Sequence, residues 1–143
     1  MSAAQPWDDH ITLSEVLSLY SEGIRRFGGE SSPPKKGCLE QSIGNAYTAE
    51  LYTESDSSKG LVFAGYLLFY LTRDHCFVDG NKRIAWLCAM RVLANSQLTP
   101  NVSQDDVVEF CTRIADSTAS DAIKTGAQVV AWLAEHVDAT ENL

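Results

Sequence analysis

One short segment of the chain gathers most of the side chains that could carry out chemistry. Residues 73–83 read RDHCFVDGNKR and lie between the two most apolar runs, residues 61–72 and 84–94. The segment holds a histidine, a residue type that can take a proton from a hydroxyl group, and two aspartates, a residue type that can bind Mg²⁺. It also holds an asparagine, a lysine and two arginines, residue types that can bind phosphate. The segment therefore predicts a phosphate-binding site with a general base.

Gly80 and Asn81 mark the point where a loop is expected to lead into a helix. The first backbone amides of a helix have no internal partners and lie at the positive end of the helix dipole, so they can bind phosphate oxygens. Gly80 permits a tight turn and lets a ligand approach the backbone closely. Asn81 is a favourable N-cap residue. The start of this helix is thus the expected position of the phosphates.

Lys82 and Arg83 place two positive charges at this helix start, which the dipole disfavours by about 0.3–1 kcal/mol each. A polyphosphate would offset this cost, since each charge-assisted hydrogen bond contributes about 1.5–3 kcal/mol and an arginine can bind two oxygens at once. Asp79 would be repelled by a phosphate unless a cation lay between them, so it is predicted to bind Mg²⁺. His75, four residues earlier, is predicted to be the base for an attacking hydroxyl group.

A purely structural interpretation of the same segment stays open on residue types alone. Asp-Gly-Asn-Lys is common at surface turns, and a single histidine near a helix end is more often structural than catalytic. Other nucleotide and metal signatures (G-x-x-x-x-G-K-[ST], G-x-G-x-x-G, H-E-x-x-H, zinc spacing) do not occur in the sequence.

The string from His75 to Arg83, HCFVDGNKR, resembles the H-x-F-x-[DE]-[GA]-N-[GK]-R signature of the Fic/Doc (Fido) family. The resemblance implies an all-α fold in a single domain over residues 1–143, with its core at about 10–135, a central helix pair flanking the motif loop, and a short flap. It also implies ATP and Mg²⁺ as cofactors. The implied roles are general base for His75, metal ligand for Asp79, and nucleotide binding for Gly80, Asn81, Lys82 and Arg83.

Lys82 and Trp86 distinguish this chain from most of that family, whose members have glycine and a second arginine at these positions and transfer AMP to Ser, Thr or Tyr of a protein. The chain is similar here to the death-on-curing (Doc) toxin branch. This implies catalytic roles for His75, Lys82 and Arg83 in moving the γ-phosphoryl of ATP to a Ser or Thr of a target protein. Elongation factor Tu is the implied target, arrest of translation the implied effect, and a small antitoxin the implied partner. AMP transfer and a non-catalytic nucleotide- or partner-binding protein are the alternatives.

Two other segments are connected with the resemblance. In the family, a flap aligns the target segment by strand addition. The residues in its place here are Gly37, Cys38, Leu39 and Glu40. The pattern Ser18-x-x-x-Glu22-Gly23 matches the loose motif of self-inhibiting Fic proteins, but so short a pattern often arises by chance, and Glu22 is expected to face solvent on the first helix.

Charge and cysteine content restrict the class of protein. The net charge of −8 argues against a general nucleic-acid binder, whereas residues 59–99 hold five basic and two acidic side chains and could attract an anion. The four cysteines, Cys38, Cys76, Cys88 and Cys111, have no paired spacing, so reduced thiols in the bacterial cytoplasm are expected. Neither a secretory signal nor a run of about 20 apolar residues is present in the sequence, so no membrane contact is expected.

Apolar spacing predicts the helices that must position the motif. They are expected at 13–27, at 59–73 and 81–96 on either side of the motif, after Ser103, and from Ser120 and Asp121 onward. Residues 38–58 are expected to form a flap and then a short helix, because Gly44 and Asn45 interrupt the pattern, and a hairpin within 35–46 stays open. The three tryptophans are expected to pack in or beside the core.

Overall fold

The computed structural model describes residues 3–141, which form six helices and one two-stranded sheet. The helices are α1 Leu13–Phe27, α2 Cys38–Tyr52, α3 Lys59–Arg73, α4 Asn81–Asn95, α5 Gln104–Ala115 and α6 Gly126–Ala134. The strands are β1 Leu98–Pro100 and β2 Val137–Ala139, paired antiparallel with Thr99 opposite Asp138. The predicted all-α fold class is confirmed. Among the described residues, no helix has the length and apolar character needed to cross a membrane.

Side-chain caps explain where most of the helices begin. Thr12 and Glu15 form a reciprocal capping box at the start of α1, and the hydroxyl groups of Ser58 and Ser103 accept backbone amides at the starts of α3 and α5. These three starts agree with the sequence prediction. α6 does not, because it begins at Gly126 rather than near Ser120, with its own capping box from Thr125 and Gln128.

Residues 116–125, predicted in part as helix, form a connection held by other hydrogen bonds. The Arg73 guanidinium donates to the carbonyl oxygens of Ile114, at 2.9 Å, and Ile123. The Ile123 amide donates to the Arg113 carbonyl oxygen at 3.0 Å. These contacts satisfy a carbonyl at the end of α5 and both backbone groups of Ile123 without a helix in this segment.

The prediction of a flap and a short helix over residues 38–58 is wrong, because α2 runs without interruption from Cys38 to Tyr52. Ile43 and Ala46 are fully buried, and α2 packs along α3. Gly44 does not break the helix: a β-carbon at this position would lie 3.5 Å from the Trp7 ring, which is ordinary contact. Burial of one face therefore outweighs the low helix propensity of Gly44 and Asn45.

α3 lies at the centre of the fold, as its continuous apolar sequence predicts. It packs mainly against α2, α4 and α6, and its largest fully buried side chains are Phe63, Leu67, Leu68 and Leu71. Trp86 of α4 and Trp132 of α6 meet edge to face, and Trp7 is buried, so the tryptophans pack as predicted. α3 and α4 together hold the segment between them, which contains the motif.

Gly65 allows α3 and α6 to pack closely, and we expect Gly65→Ala to destabilise the protein by about 1–3 kcal/mol. A β-carbon at Gly65 would lie 2.5 Å from Val130 Cγ2 and 2.9 Å from Val130 Cα, so the two helices would have to separate. Urea denaturation followed by circular dichroism measures the change. Gly44→Ala is the matched control, a helix-interior glycine with room for a methyl group, and equal stability of the two variants would contradict the prediction.

The sequence predicted that all four cysteines are reduced thiols, but two of them form a disulfide. Cys38, at the start of α2, forms a disulfide with Cys76, and their Cα atoms are 5.5 Å apart. Cys88 and Cys111 are free and buried as expected, and burial raises the pKa of Cys88 to about 12 and that of Cys111 to about 11. The prediction is therefore wrong for the first pair. No spacing rule indicates a bond between residues 38 positions apart.

Candidate active site

The segment between α3 and α4, residues 74–80, is called the motif loop below. It begins at Asp74, the C-cap of α3, and ends at Gly80, the N-cap of α4, whose φ of 75° lies in the left-handed region. Gly80, not Asn81 as predicted, is therefore the N-cap residue. No side chain among residues 3–141 caps this end of α4, so its first amides remain available to a ligand.

Asn81 holds the motif loop in shape instead of capping the helix. Its Oδ1 atom accepts a hydrogen bond from the Phe77 amide at 3.1 Å, and its Nδ2 atom donates to the Phe77 carbonyl oxygen at 2.8 Å. The Phe77 ring is buried and stacks on Tyr20 of α1, with the ring centroids 4.0 Å apart. The loop is thus fixed at its middle by a backbone clasp and by an aromatic anchor in the core.

His75 is exposed at the start of the motif loop and has a φ of 51°. A positive φ is uncommon for any residue other than glycine and often marks a functional site. In the part of the chain that the structure describes, the imidazole has no hydrogen-bond partner. The ring is therefore open to a hydroxyl group from another molecule.

Asp79 and Arg83 both contact the loop that follows α1, residues 28–37, called the α1–α2 loop below. The Glu30 amide donates to Asp79 Oδ2 at 3.1 Å, and Arg83 Nη2 donates to the Gly28 carbonyl oxygen at 3.3 Å. The Arg83 guanidinium also lies over the Phe27 ring, 5.2 Å from its centroid. One end of the α1–α2 loop therefore covers the predicted metal ligand and the predicted phosphate ligand together.

Gly80 and Gly23 make room for the Arg83 side chain. A β-carbon at Gly80 would lie 2.8 Å from Arg83 Nη2, and one at Gly23 would lie 3.3 Å from Arg83 Nε. No carboxylate pairs with Arg83 among the described residues, so its positive charge is not neutralised. An uncompensated guanidinium beside free helix amides favours an anionic ligand.

A comparison with protein families identifies this arrangement. The model of the Fic/DOC family matches residues 10–93, which is more than half of the chain and includes α1 to α4 up to Leu93. The chain belongs to the Fic/DOC family. A search of curated proteins found no match. Family membership indicates a transferase that acts on proteins and binds ATP with Mg²⁺.

The Fic/DOC motif of this chain offers one carboxylate, Asp79, for a metal ion. Residues 3–141 contain no group of three His, Cys, Asp or Glu side chains that could hold a metal by themselves. This fits Mg²⁺, which proteins usually bind through one or two carboxylates together with phosphate oxygens and water. Oδ2 of Asp79 binds the Glu30 amide, and Oδ1 is left for a cation.

Lys82 and Arg83 point to different sides of α4 in this Fic/DOC protein. Arg83 faces α1, whereas Lys82 is exposed and lies close enough to α5 that its charge lowers the pKa of Cys111, against the larger opposite effect of burial. The sequence placed both cations on the phosphates. Arg83 contacts the same loop as Asp79, and Lys82 makes no such contact among the residues that the structure describes.

The flap expected of a Fic/DOC domain does not lie at Gly37 to Glu40. Gly37 is the N-cap of α2 in a left-handed conformation, and Cys38, Leu39 and Glu40 form the first turn of the helix. Residues just before them contact the motif loop, since the Lys35 amide donates to the Cys76 carbonyl oxygen at 2.8 Å. The residues predicted to form the flap are therefore the start of a helix.

Glu22 faces solvent on α1, as the sequence analysis expected. It forms ion pairs with Arg25 and Arg26 on its own helix, and the hydrogen bond from Arg25 lowers the pKa of Glu22. It does not pair with the motif arginine, Arg83, as the self-inhibiting pattern would require.

Tyr20 holds the α1–α2 loop over the site, and we expect Tyr20→Phe to raise the affinity for MgATP about fivefold. The Tyr20 hydroxyl donates to the Glu30 carbonyl oxygen at 2.9 Å, and the Glu30 amide binds Asp79. Phenylalanine keeps the ring against Phe77 but removes this bond, which is worth about 1 kcal/mol. Calorimetric titration of the two proteins with MgATP measures the difference.

Tyr52→Phe is the matched control for this prediction. Tyr52 is 84% exposed at the end of α2, so loss of its hydroxyl should leave nucleotide affinity unchanged. The prediction for Tyr20→Phe assumes that the α1–α2 loop must move before MgATP can bind. An unchanged or weaker affinity for MgATP in this variant would contradict it.

Proposed function

We propose that this Fic/DOC protein is a Doc-like protein kinase that transfers the γ-phosphoryl group of ATP to a Ser or Thr hydroxyl of a target protein. The observation that carries the proposal is the pairing of an exposed imidazole, His75, with the uncapped start of α4 and the unneutralised Arg83. A base and an anion site on one short loop are what transfer of a phosphate-containing group to a hydroxyl requires.

Each motif residue has a role in the proposed reaction. His75 takes the proton as the target hydroxyl oxygen bonds to the γ-phosphorus, and the bond from that phosphorus to the β–γ bridging oxygen breaks, releasing ADP. Arg83 and the first α4 amides bind phosphate oxygens, and Asp79 would hold Mg²⁺, which would supply neutralisation of the phosphate charge. Asn81 keeps the loop in place through Phe77 rather than by binding phosphate directly. Lys82 stabilises the transferred group from a rotamer turned toward the phosphates.

Nucleotide binding in this proposal includes an exchange of partners. The Gly28 carbonyl must leave Arg83 before the guanidinium can turn fully to phosphate, and departure of the Glu30 amide frees the second oxygen of Asp79 beside the one already left for Mg²⁺. Each bond given up has one charged partner, whereas the contact that replaces it, Asp79 with Mg²⁺ or Arg83 with phosphate, joins two opposite charges. The ligand can therefore displace the loop.

AMP transfer from the same site is the second candidate, and the position of Lys82 favours it. The proposed kinase reaction depends on Lys82 filling space near the phosphates, whereas the charge of this side chain acts on Cys111 of α5. If Lys82 does not fill that space, a phosphate can take the orientation that presents the α-phosphorus to the hydroxyl.

The proposed partners follow from the resemblance to Doc toxins. A translation factor, elongation factor Tu, is the proposed target, and a small antitoxin the proposed inhibitor, with no direct nucleic-acid contact. The bacterial cytoplasm is the proposed compartment. The disulfide between Cys38 and Cys76 would be unusual in this compartment as a permanent structural bond. Cytosolic disulfides in most organisms are transient and serve catalysis or redox sensing.

Labelled ATP separates the candidates. The purified protein is incubated with elongation factor Tu, or with a bacterial lysate, and ATP labelled at either the γ- or the α-phosphorus. Label from the γ position on protein supports the kinase, and label from the α position supports AMP transfer and refutes the kinase proposal. Absence of label from both, in the wild type as in His75→Ala, would indicate a non-catalytic binding protein.

A further inference from the structure

The two residues on either side of His75 are both held by α2. Ser42 is fully buried, and its hydroxyl donates to Asp74 Oδ2 at 2.6 Å. Cys38, four residues earlier and so on the same face of the helix, is bonded to Cys76. One helix therefore fixes the chain immediately before and immediately after the proposed base.

His75 needs such support, because its backbone has a φ of 51°. A residue with a β-carbon enters this region at a cost in free energy and stays there only when surrounding contacts determine it. The Cys76 carbonyl is also fixed, by the amide of Lys35 just before α2. Loss of one of these contacts would let His75 move to the more common negative φ, which would turn its side chain in a different direction.

We propose that α2 acts as a clamp that positions His75, with Ser42 and the Cys38–Cys76 disulfide as its two attachments, so that reduction of the disulfide slows the transferase. The inference rests on the proposed function, because it assigns to Ser42, Cys38 and Cys76 a positioning role for the base of that reaction. It also assigns a role to a disulfide that the reaction itself does not use.

The disulfide can be reached from one side. Cys76 is only 1% exposed, whereas Cys38 is partly exposed at the start of α2. A thiolate of an external dithiol can attack the Cys38 sulfur, and Cys76 leaves as a thiolate that takes up a proton. The second thiol of the dithiol then displaces Cys38, which leaves two protein thiols and an oxidised, cyclic disulfide of the reductant.

The experiment compares wild type with Cys38→Ser, each with and without dithiothreitol, using protein labelling from ATP as the rate. We expect the reductant to lower kcat of the wild type about tenfold, which corresponds to about 1.4 kcal/mol, with KM for ATP unchanged because His75 does not bind the nucleotide. Cys38→Ser should have the low rate from the start and no response to dithiothreitol. This variant retains Cys88 and Cys111, so it also controls for effects of the reductant on the other thiols.

Ser42→Ala tests the second attachment. It should lower kcat and leave KM unchanged, while Ser42→Thr, which restores a hydroxyl group, should recover most of the rate. If Ser42 had only a structural role, Ser42→Ala would lower the unfolding midpoint but would not selectively lower kcat while KM stays unchanged. Equal kcat for Ser42→Ala and wild type would overturn this half of the clamp.

Thiol titration and hydrogen exchange make the outcome decisive. The native protein should show two reactive thiols after unfolding, and the reduced protein four. Four thiols before reduction, or an unchanged kcat when four are counted, would overturn the proposal. If even the oxidised protein labels no target, the proposed function fails, and hydrogen exchange of amides 74–80 then tests the clamp alone. Faster exchange of these amides on reduction supports the clamp, and unchanged exchange refutes it.

Discussion

Replacement of His75 with alanine should lower the rate of target labelling by about 10²–10⁴-fold, the usual contribution of a general base. The His75 imidazole is exposed and makes no hydrogen bond to the residues that the structure describes. Its loss should therefore affect proton transfer without disturbing the fold. Because the phosphate ligands stay in place, the affinity for MgATP should change little. Initial rates with labelled ATP and a calorimetric titration give the two quantities.

His136→Ala is the matched control for this substitution. His136 stacks on Trp132, with ring centroids 4.0 Å apart, and lies just after α6 and outside the motif loop. The rate per folded molecule should stay near that of the wild type. A His75→Ala protein that binds MgATP and labels its target at a normal rate would exclude His75 as the base.

Replacement of Arg83 with alanine should weaken kcat/KM by about 10–100-fold, because charge-assisted hydrogen bonds contribute about 1.5–3 kcal/mol. Unlike His75→Ala, this change should also lower the affinity for MgATP, since Arg83 binds the phosphates in the ground state. Arg83→Lys should recover only part of the loss, as an ammonium group cannot bind two oxygens in the fork geometry of a guanidinium. Titration with MgATP and steady-state rates distinguish the two effects.

Arg91→Ala removes the same charge from the same helix and is the control. Arg91 is on the far half of α4 and makes a 3.6 Å ion pair with Glu15, with its side chain 47% exposed. Its replacement should change stability and activity little, because exposed ion pairs of this kind contribute about 0–1 kcal/mol. Equal losses of affinity in both variants would mean a general effect of net charge and not a phosphate contact.

The sequence predicted the parts of the fold that depend on local interactions. The start of α1 follows from the Thr12 capping box, and the burial of α3 follows from its uninterrupted apolar residues. It failed at α2, where Gly44 suggested a break that burial of Ile43 and Ala46 against α3 prevents. Helix propensity depends on the local sequence alone, so it does not include the contacts that α2 makes with α3, which follows it in the chain.

The candidate site was also predictable only in its local part. The motif and the position of its residues at the start of α4 could be predicted from the sequence. The bonds from Glu30 to Asp79 and from Arg83 to Gly28 could not, because they span 49 and 55 residues and leave no sequence pattern. The divergence of Lys82 from Arg83 could have been foreseen, because consecutive residues of an α-helix point about 100° apart. Tyr20 was missed because it fits the apolar spacing of α1. Ser42 was missed because it is a serine on the buried face of a helix that the sequence did not predict as continuous.

In the proposed function, the α1–α2 loop over Asp79 and Arg83 links nucleotide binding to events elsewhere on the surface. If the loop must be displaced before ATP binds, the measured Kd for ATP is the intrinsic value divided by the fraction of molecules in which the loop is displaced. A second molecule that binds the displaced loop will raise that fraction. By thermodynamic reciprocity, ATP will then tighten the binding of that second molecule by the same factor.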